Sequence, residues 1–252
     1  MKFSLLVPTR ERPQAVVRLL DSLLFTTGNI KDIEILFAVD EDDAITKEVF
    51  TTVLKDYKYN NLKLQVFYRE RSEFSNRDYY NWLSDKAIGQ FLWAIGDDVV
   101  FQVEKWDSII STKIEEYLID KPDRVVCVGV KDNTPKPKID LPQFPCFPVI
   151  TQEAKKAVGY FLHPYIPNWG ADYLLYLLYA GANRYLAIDD NVYLLHIGIH
   201  THTGPKDTTA QNVENTFNRL KMNPDYNIDI AKDNKIPYQV EELKKYITDW
   251  RA

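Results

Sequence analysis

Only two cysteines, Cys127 and Cys146, occur in the 252 residues, so no disulfide framework supports the fold. Cys127 sits in Val125-Val126-Cys127-Val128, an apolar run that reads as a buried strand and makes it an inert core thiol. No apolar stretch is long enough to span a bilayer, and Lys2-Phe3-Ser4-Leu5-Leu6-Val7 is too short for a signal-peptide core. A soluble, cytoplasmic protein is expected. Positive charge is not in excess: 31 Lys and Arg face 36 Asp and Glu, a net charge of -5, so no stable nucleic-acid binding is expected. Internal repeats and low-complexity segments are missing. So are the Gly-x-Ser-x-Gly elbow of one hydrolase class and the His-Glu-x-x-His spacing of zinc proteases.

What is present is an alternation of strand-like and helix-like segments. Phe3 to Val7 is a short apolar run ended by Pro8, and Pro13 opens a helix whose Val16, Leu19, Leu20, Leu23 and Leu24 share one face. Further strands are expected at Ile33 to Val39, Leu62 to Phe67, Phe91 to Ile95 and Val125 to Val130. Helices are expected at Ala44 to Lys55, Arg77 to Ile88 and around Trp106 to Leu118. This rhythm predicts an α/β fold with a mostly parallel central sheet flanked by helices, its ligand site outside the carboxyl ends of the strands. With 45% apolar residues a full core can be buried.

The pattern changes after Val130. Five prolines (Pro135, Pro137, Pro142, Pro145, Pro148) between Lys131 and Pro148 exclude a sustained helix, and the segment reads as a loop crossing the site. A helix is expected over Asp172 to Ala180, a strand over Val192 to Ile199, a helix from Thr208 to about Leu220, and an amphipathic helix after Pro237.

Polar clusters stand at the strand ends: Thr9-Arg10 after the first, Asp40 after the second, Asp97-Asp98 after the fourth. Two adjacent carboxylates repel unless donors or a cation neutralise them, and magnesium or manganese suits such oxygen ligands. The competing reading is a turn in which one aspartate caps the next helix.

Ser4-Leu5-Leu6-Val7-Pro8-Thr9-Arg10-Glu11-Arg12-Pro13 resembles the opening strand and turn of family 2-like glycosyltransferases of the GT-A fold. Leu92-Trp93-Ala94-Ile95-Gly96-Asp97-Asp98-Val99 resembles the strand carrying their DxD motif, with Gly96 where the first acid usually stands. The resemblance implies a nucleotide-sugar-dependent, hexosyltransferase-like enzyme using a divalent metal, Mn or Mg. It places Asp98 on the metal and Asp97 beside the nucleotide sugar. Pro8, Thr9, Arg10 and Asp40 would contact the nucleotide, and Asn76 and Arg77 would lie near the diphosphate. Asn168-Trp169-Gly170-Ala171-Asp172 is similar to the segment carrying the catalytic base, which implies Asp172 in an inverting transfer to a glycan or other hydroxyl-bearing acceptor. Asp172 also suits the first turn of a helix for purely structural reasons.

His196, His200 and His202 lie close together, and their even spacing puts them on one face if the strand continues. The resemblance favours His200 and His202, followed by Lys206, as metal ligands, with His196 in reserve. Residues 1–222 would form the transferase domain and 223–252 a helical extension of it. A sugar nucleotidyltransferase is disfavoured because the turn from Pro8 to Pro13 contains no glycine to cradle phosphates. A nucleotide- or glycan-binding module of the same fold that has lost turnover is the non-enzymatic alternative, motivated by Gly96.

Overall fold

In the computed structural model, which describes residues 1–134, 145–166, 170–191, 193–197 and 235–250, the apolar runs become strands of one central sheet. In chain order the strands are β1 (Phe3–Thr9), β2 (Ile33–Asp40), β3 (Lys63–Arg69), β4 (Phe91–Ala94), β5 (Val99–Phe101), β6 (Cys127–Val130), β7 (Val149–Thr151), β8 (Tyr185–Ile188) and β9 (Leu194–His196). The helices are α1 (Pro13–Thr26), α2 (Ala44–Val53), α3 (Trp82–Ser84), α4 (Trp106–Leu118), α5 (Gln152–Val158), α6 (Ala171–Gly181) and α7 (Ile236–Asp249). Seven strands pair in the order β3-β2-β1-β4-β7-β6-β8. The first four are parallel, β7 runs against both β4 and β6, and β8 lies parallel to β6. A second, two-stranded antiparallel sheet joins β5 to β9.

Strand alternation divides the core into two layers. Phe3, Leu5 and Val7 of β1, with Ile35 and Phe37 of β2, pack with Val16, Leu19 and Leu23 of α1 and Trp106, Ile110 and Ile114 of α4. Leu6, Leu36, Ala38, Leu92 and Ala94 point the other way, towards Leu174, Leu175 and Leu178 of α6 and Leu243 and Ile247 of α7. With both faces covered, all eight residues of β2 are buried, as continuous apolar parallel strands require. Trp93 and Trp106 meet edge to face with centroids 5.3 Å apart, and the Trp93 indole donates to the Phe147 carbonyl at 2.9 Å. That bond fixes the end of the proline-rich segment against β4.

At the amino edge of the sheet, buried Glu34 accepts hydrogen bonds from the Ser4 hydroxyl and from the backbone N–H groups of Ile88 (2.7 Å) and Gly89 (3.1 Å). A Cβ on Gly89 would stand 2.4 Å from Ser4 Oγ and 2.7 Å from Ser4 N, so only glycine fits beside this lock. In the second half, Arg184 before β8 grips Asp123 before β6 with a two-pronged contact of 2.9 and 3.2 Å. Both side chains are buried, at 6% and 0% exposure.

The structure changes several expected boundaries. The helix expected over Arg77 to Ile88 begins as a π-helical turn over Asn76–Asn81 and passes into α3, ending at Ser84. Strands β5, β7 and β8 and helix α5 were not expected as separate elements. Val192 to Ile199 contributes β9 over Leu194–His196 among the described residues, whereas the helix expected from Thr208 lies outside them. No described helix is long and apolar enough to cross a membrane.

Candidate active site

The turn between β1 and α1 is set before any ligand arrives. Pro13 supplies the first helical residue, and the Arg12 carbonyl accepts from the N–H groups of Ala15 and Val16. Glu11 adopts a left-handed φ of 54°, which costs about 1 kcal/mol for a residue with a Cβ. Buried Asp43 holds it there: one carboxylate oxygen accepts from Glu11 N at 2.7 Å and the other caps α2 by accepting from Thr46 N at 3.0 Å.

From this turn two arginines reach across the carboxyl ends of the strands, and each bridges two aspartates. Arg10 donates through Nη1 to Asp40 at 2.8 Å and to Asp42 at 2.5 Å. Arg12 donates through Nη1 to Asp97 Oδ1 at 3.0 Å and to Asp98 Oδ2 at 3.3 Å. Thr9 Oγ1 donates to the other Asp97 oxygen at 2.8 Å. Asp40 also receives the Tyr79 hydroxyl, and Arg69, at the end of β3, lies over the Tyr79 ring 4.9 Å from its centroid. Four aspartates against two arginines leave the crevice negative.

Electrostatics separate the neighbouring acids. Burial, reinforced by the Asp98 charge, pushes Asp97 up to about 6 against the opposing pull of Arg12 and Thr9. Asp98 is also pushed up by burial, but His196 and Arg12 together hold it below its ordinary value. Hydrogen bonding to Asp42 and then Asp40 raises Arg10, against the desolvation of its charge. Burial, with the bond to Asp40, pushes Tyr79 up to about 12.

The histidine brought to the acidic pair is His196, the reserve candidate. Antiparallel pairing aligns Val99 with His196, and the Ile197 N–H donates to the Asp98 carbonyl at 2.9 Å. His196 Nε2 then stands 3.4 Å from Asp98 Oδ1, while Nδ1 is 3.2 Å from the Thr134 hydroxyl. Asn133 Oδ1 accepts from His196 N at 2.6 Å, and Phe147 meets the imidazole edge to face at 5.0 Å. These contacts orient the ring as a second shell orients a ligand. Gly96 has a local reason: a Cβ there would be 2.6 Å from Asp98 Oδ1.

Among the described residues no group of three histidine, cysteine or acidic side chains is arranged to hold a metal. Asp98 and His196 nevertheless fit one, because magnesium-type sites take one or two protein ligands and complete their shell with water and phosphate oxygens. His200, His202 and Lys206 lie outside the described residues, as do Asn168 and Trp169.

The remaining candidates are placed as follows. Pro8 lies within β1. Asn76 is buried and donates to the Ile166 carbonyl at 2.8 Å, tying the π turn to the loop before α6. Arg77 is exposed, paired with Asp78 at 2.9 Å and laid over Phe74. Asp172 is partly buried in the first turn of α6, after Gly170 with its φ of 93°, and accepts from Tyr173 N at 2.9 Å. Sequence reasoning assigned no role to Arg12, Asp42 or Tyr79. The second arginine of the turn was the available signal for Arg12.

No family model and no curated protein matches the chain. Solved structures do. Residues 1-349 of S. aureus TarS, in complex with UDP, align with a TM-score of 0.59 at 16% identity, over 77% of this chain and 60% of that one. The mannosyltransferase PcManGT from Pyrobaculum calidifontis, in complex with GDP-Man and Mn2+, gives 0.59 at 14% identity, over 96% and 72%. GalNAc-T7 with UDP, GalNAc and Mn2+ gives 0.61 at 15% identity, over 100% and 55%. The chain thus spans less than two thirds of the TarS and GalNAc-T7 chains. It has the GT-A fold that these glycosyltransferases share.

Proposed function

We propose that the chain is a glycosyltransferase that takes a sugar from a nucleoside diphosphate sugar, with a divalent ion, Mn or Mg, at Asp98. The observation that carries this reading is the convergence of Asp40, Asp97, Asp98 and His196 on the ends of β2, β4 and β9, beside the β1–α1 turn. The neighbours bound to UDP or GDP-Man, two of them with Mn2+, support it. Asp98 and His196 would hold the ion, with His200 and His202 as further candidates. Bound there, the ion would neutralise charge developing on the departing diphosphate.

The chain's own groups do the rest. Thr9 and Arg12 hold Asp97 in place, and Arg10 and Tyr79 orient Asp40 towards the nucleoside. Asn76 braces the loop before α6, and Arg77 stands near the diphosphate side. Asp172 would accept the proton of the acceptor hydroxyl in an inverting transfer, at the start of a helix whose first turn it also suits. In this reading 1–222 carries the site and 223–252 is an extension, in keeping with the burial of Leu243 and Ile247 of α7 in the core layer of α6.

The test is a thermal-shift titration with the diphosphates of uridine, guanosine, cytidine, thymidine and adenosine, with and without Mn2+. Ligands that bind the native state raise Tm by mass action. A Mn2+-dependent rise with one nucleotide is expected, and Asp98→Ala should remove it. A folded protein that shifts with none of the five sinks the reading. Nucleotide binding without any hydrolysis of the donor would instead favour a binding module.

A further inference from the structure

We propose that Arg12 is an exchange cation: it neutralises Asp97 and Asp98 until a divalent ion and a nucleoside diphosphate arrive, and so couples the binding of the two. This rests on the donor site proposed above. A single nitrogen, Nη1, stands 3.0 Å from one oxygen of Asp97 and 3.3 Å from one oxygen of Asp98. The other Asp97 oxygen is taken by Thr9, and the other Asp98 oxygen faces His196. The oxygens on Arg12 are therefore the pair that a bridging cation would use, and a guanidinium and a divalent ion cannot occupy that space together.

The two arginines of the turn differ in freedom. Arg10 is 24% exposed and contacts Asp40, Asp42 and Glu11, whereas Arg12 is 51% exposed. Arg10 is the fixed cation and Arg12 the one that can swing into water. Displaced from the carboxylates, its guanidinium is matched in shape and charge to diphosphate oxygens. Metal alone must then break two ion contacts, while metal with nucleotide restores them elsewhere. Coupling of this kind is reciprocal, so each ligand tightens the other by the same factor.

The test measures Mn2+ affinity from the electron paramagnetic resonance signal of the free ion, first without nucleotide and then with UDP or GDP. Wild type is compared with Arg12→Ala, Arg12→Gln and Arg12→Lys. Without nucleotide, the Ala and Gln variants should bind Mn2+ about tenfold more tightly than wild type, because a competing unit charge is gone. The Lys variant should stay near wild type. The factor by which nucleotide strengthens Mn2+ binding should shrink in the Ala and Gln variants. If nucleotide binds all four proteins and Mn2+ affinity is unchanged or weaker in the Ala and Gln variants, Arg12 is not the exchange cation. If no nucleotide binds any of them while Mn2+ still tightens in those two variants, the exchange at the acidic pair stands and the donor-site reading fails. Mn2+ binding to none of the four overturns both.

Discussion

At the scale of single residues, Gly96 and Asp98 must be considered together. The space that a side chain at position 96 would fill is already occupied by the Asp98 carboxylate, which needs that position to face His196. Gly96→Ala should therefore push Asp98 off His196 and weaken Mn2+-dependent nucleotide binding by about tenfold, a shift of about 1.4 kcal/mol. Calorimetric titration of nucleotide with and without Mn2+ would show it, and equal affinity for both proteins would refute it. Asp172→Asn should leave donor affinity intact while removing transfer; a variant that still transfers would exclude Asp172 as the base. The acidic pair was legible in the sequence because it follows an apolar strand directly, where nothing local neutralises two carboxylates. Arg12 and the choice of His196 were not legible. Which oxygen an arginine reaches across a turn, and which histidine a late strand delivers, are decided by tertiary packing.

At the scale of elements, Asp43 links two features that sequence spacing does not connect. It caps α2 and holds Glu11 in its left-handed conformation. Asp43→Ala should cost about 1–2 kcal/mol of stability from the lost cap, and should also weaken nucleotide binding by loosening the β1–α1 turn. Denaturant melts alongside nucleotide titration would separate the two effects. The Asp123–Arg184 pair joins the approaches to β6 and β8, and Asp123→Ala should cost about 3–5 kcal/mol by leaving a buried guanidinium unpaired. Its pH dependence has a definite sign. Burial favours the neutral acid, but Arg184 and the Val125 N–H outweigh it and lower Asp123 below its ordinary value. The pair's contribution is thus complete above an unfolded carboxylate value of about 3.9 and is lost as pH falls through the lower folded value. Acid melts of wild type and Arg184→Met should converge as pH falls through that window. The parallel strands β1 to β4 were readable because each is apolar almost throughout and ends in a polar residue. The three-residue β5 and β7 were not, since so short a strand is defined by its partner rather than by its own periodicity.

At the scale of the whole molecule, chemistry and stability sit at opposite ends of the parallel strands. The candidate site gathers at the carboxyl ends of β1, β2 and β4, while the lock of Ser4, Glu34 and Gly89 closes the amino edge. Gly89→Ala should destabilise by about 2–3 kcal/mol through overpacking, yet leave nucleotide affinity of the folded protein unchanged. A lowered denaturant midpoint with an unaltered Kd would bear this out; a changed Kd would mean that the two ends communicate. The alternation of strand and helix made the parallel half of the sheet visible in advance. The reversal at β7 was hidden, because it depends on a segment that leaves the proline-rich loop and returns between β4 and β6.

The small β5–β9 sheet also bears on timing. A chain emerging from the ribosome can build its first four parallel strands and its acidic pair well before residue 196 has been made. Until β9 arrives and pairs with β5, Asp98 lacks the imidazole that the finished protein sets beside it. A nascent or truncated chain would carry two of the site's carboxylates without their nitrogen partner, so the protein withholds metal capture until its second half has docked.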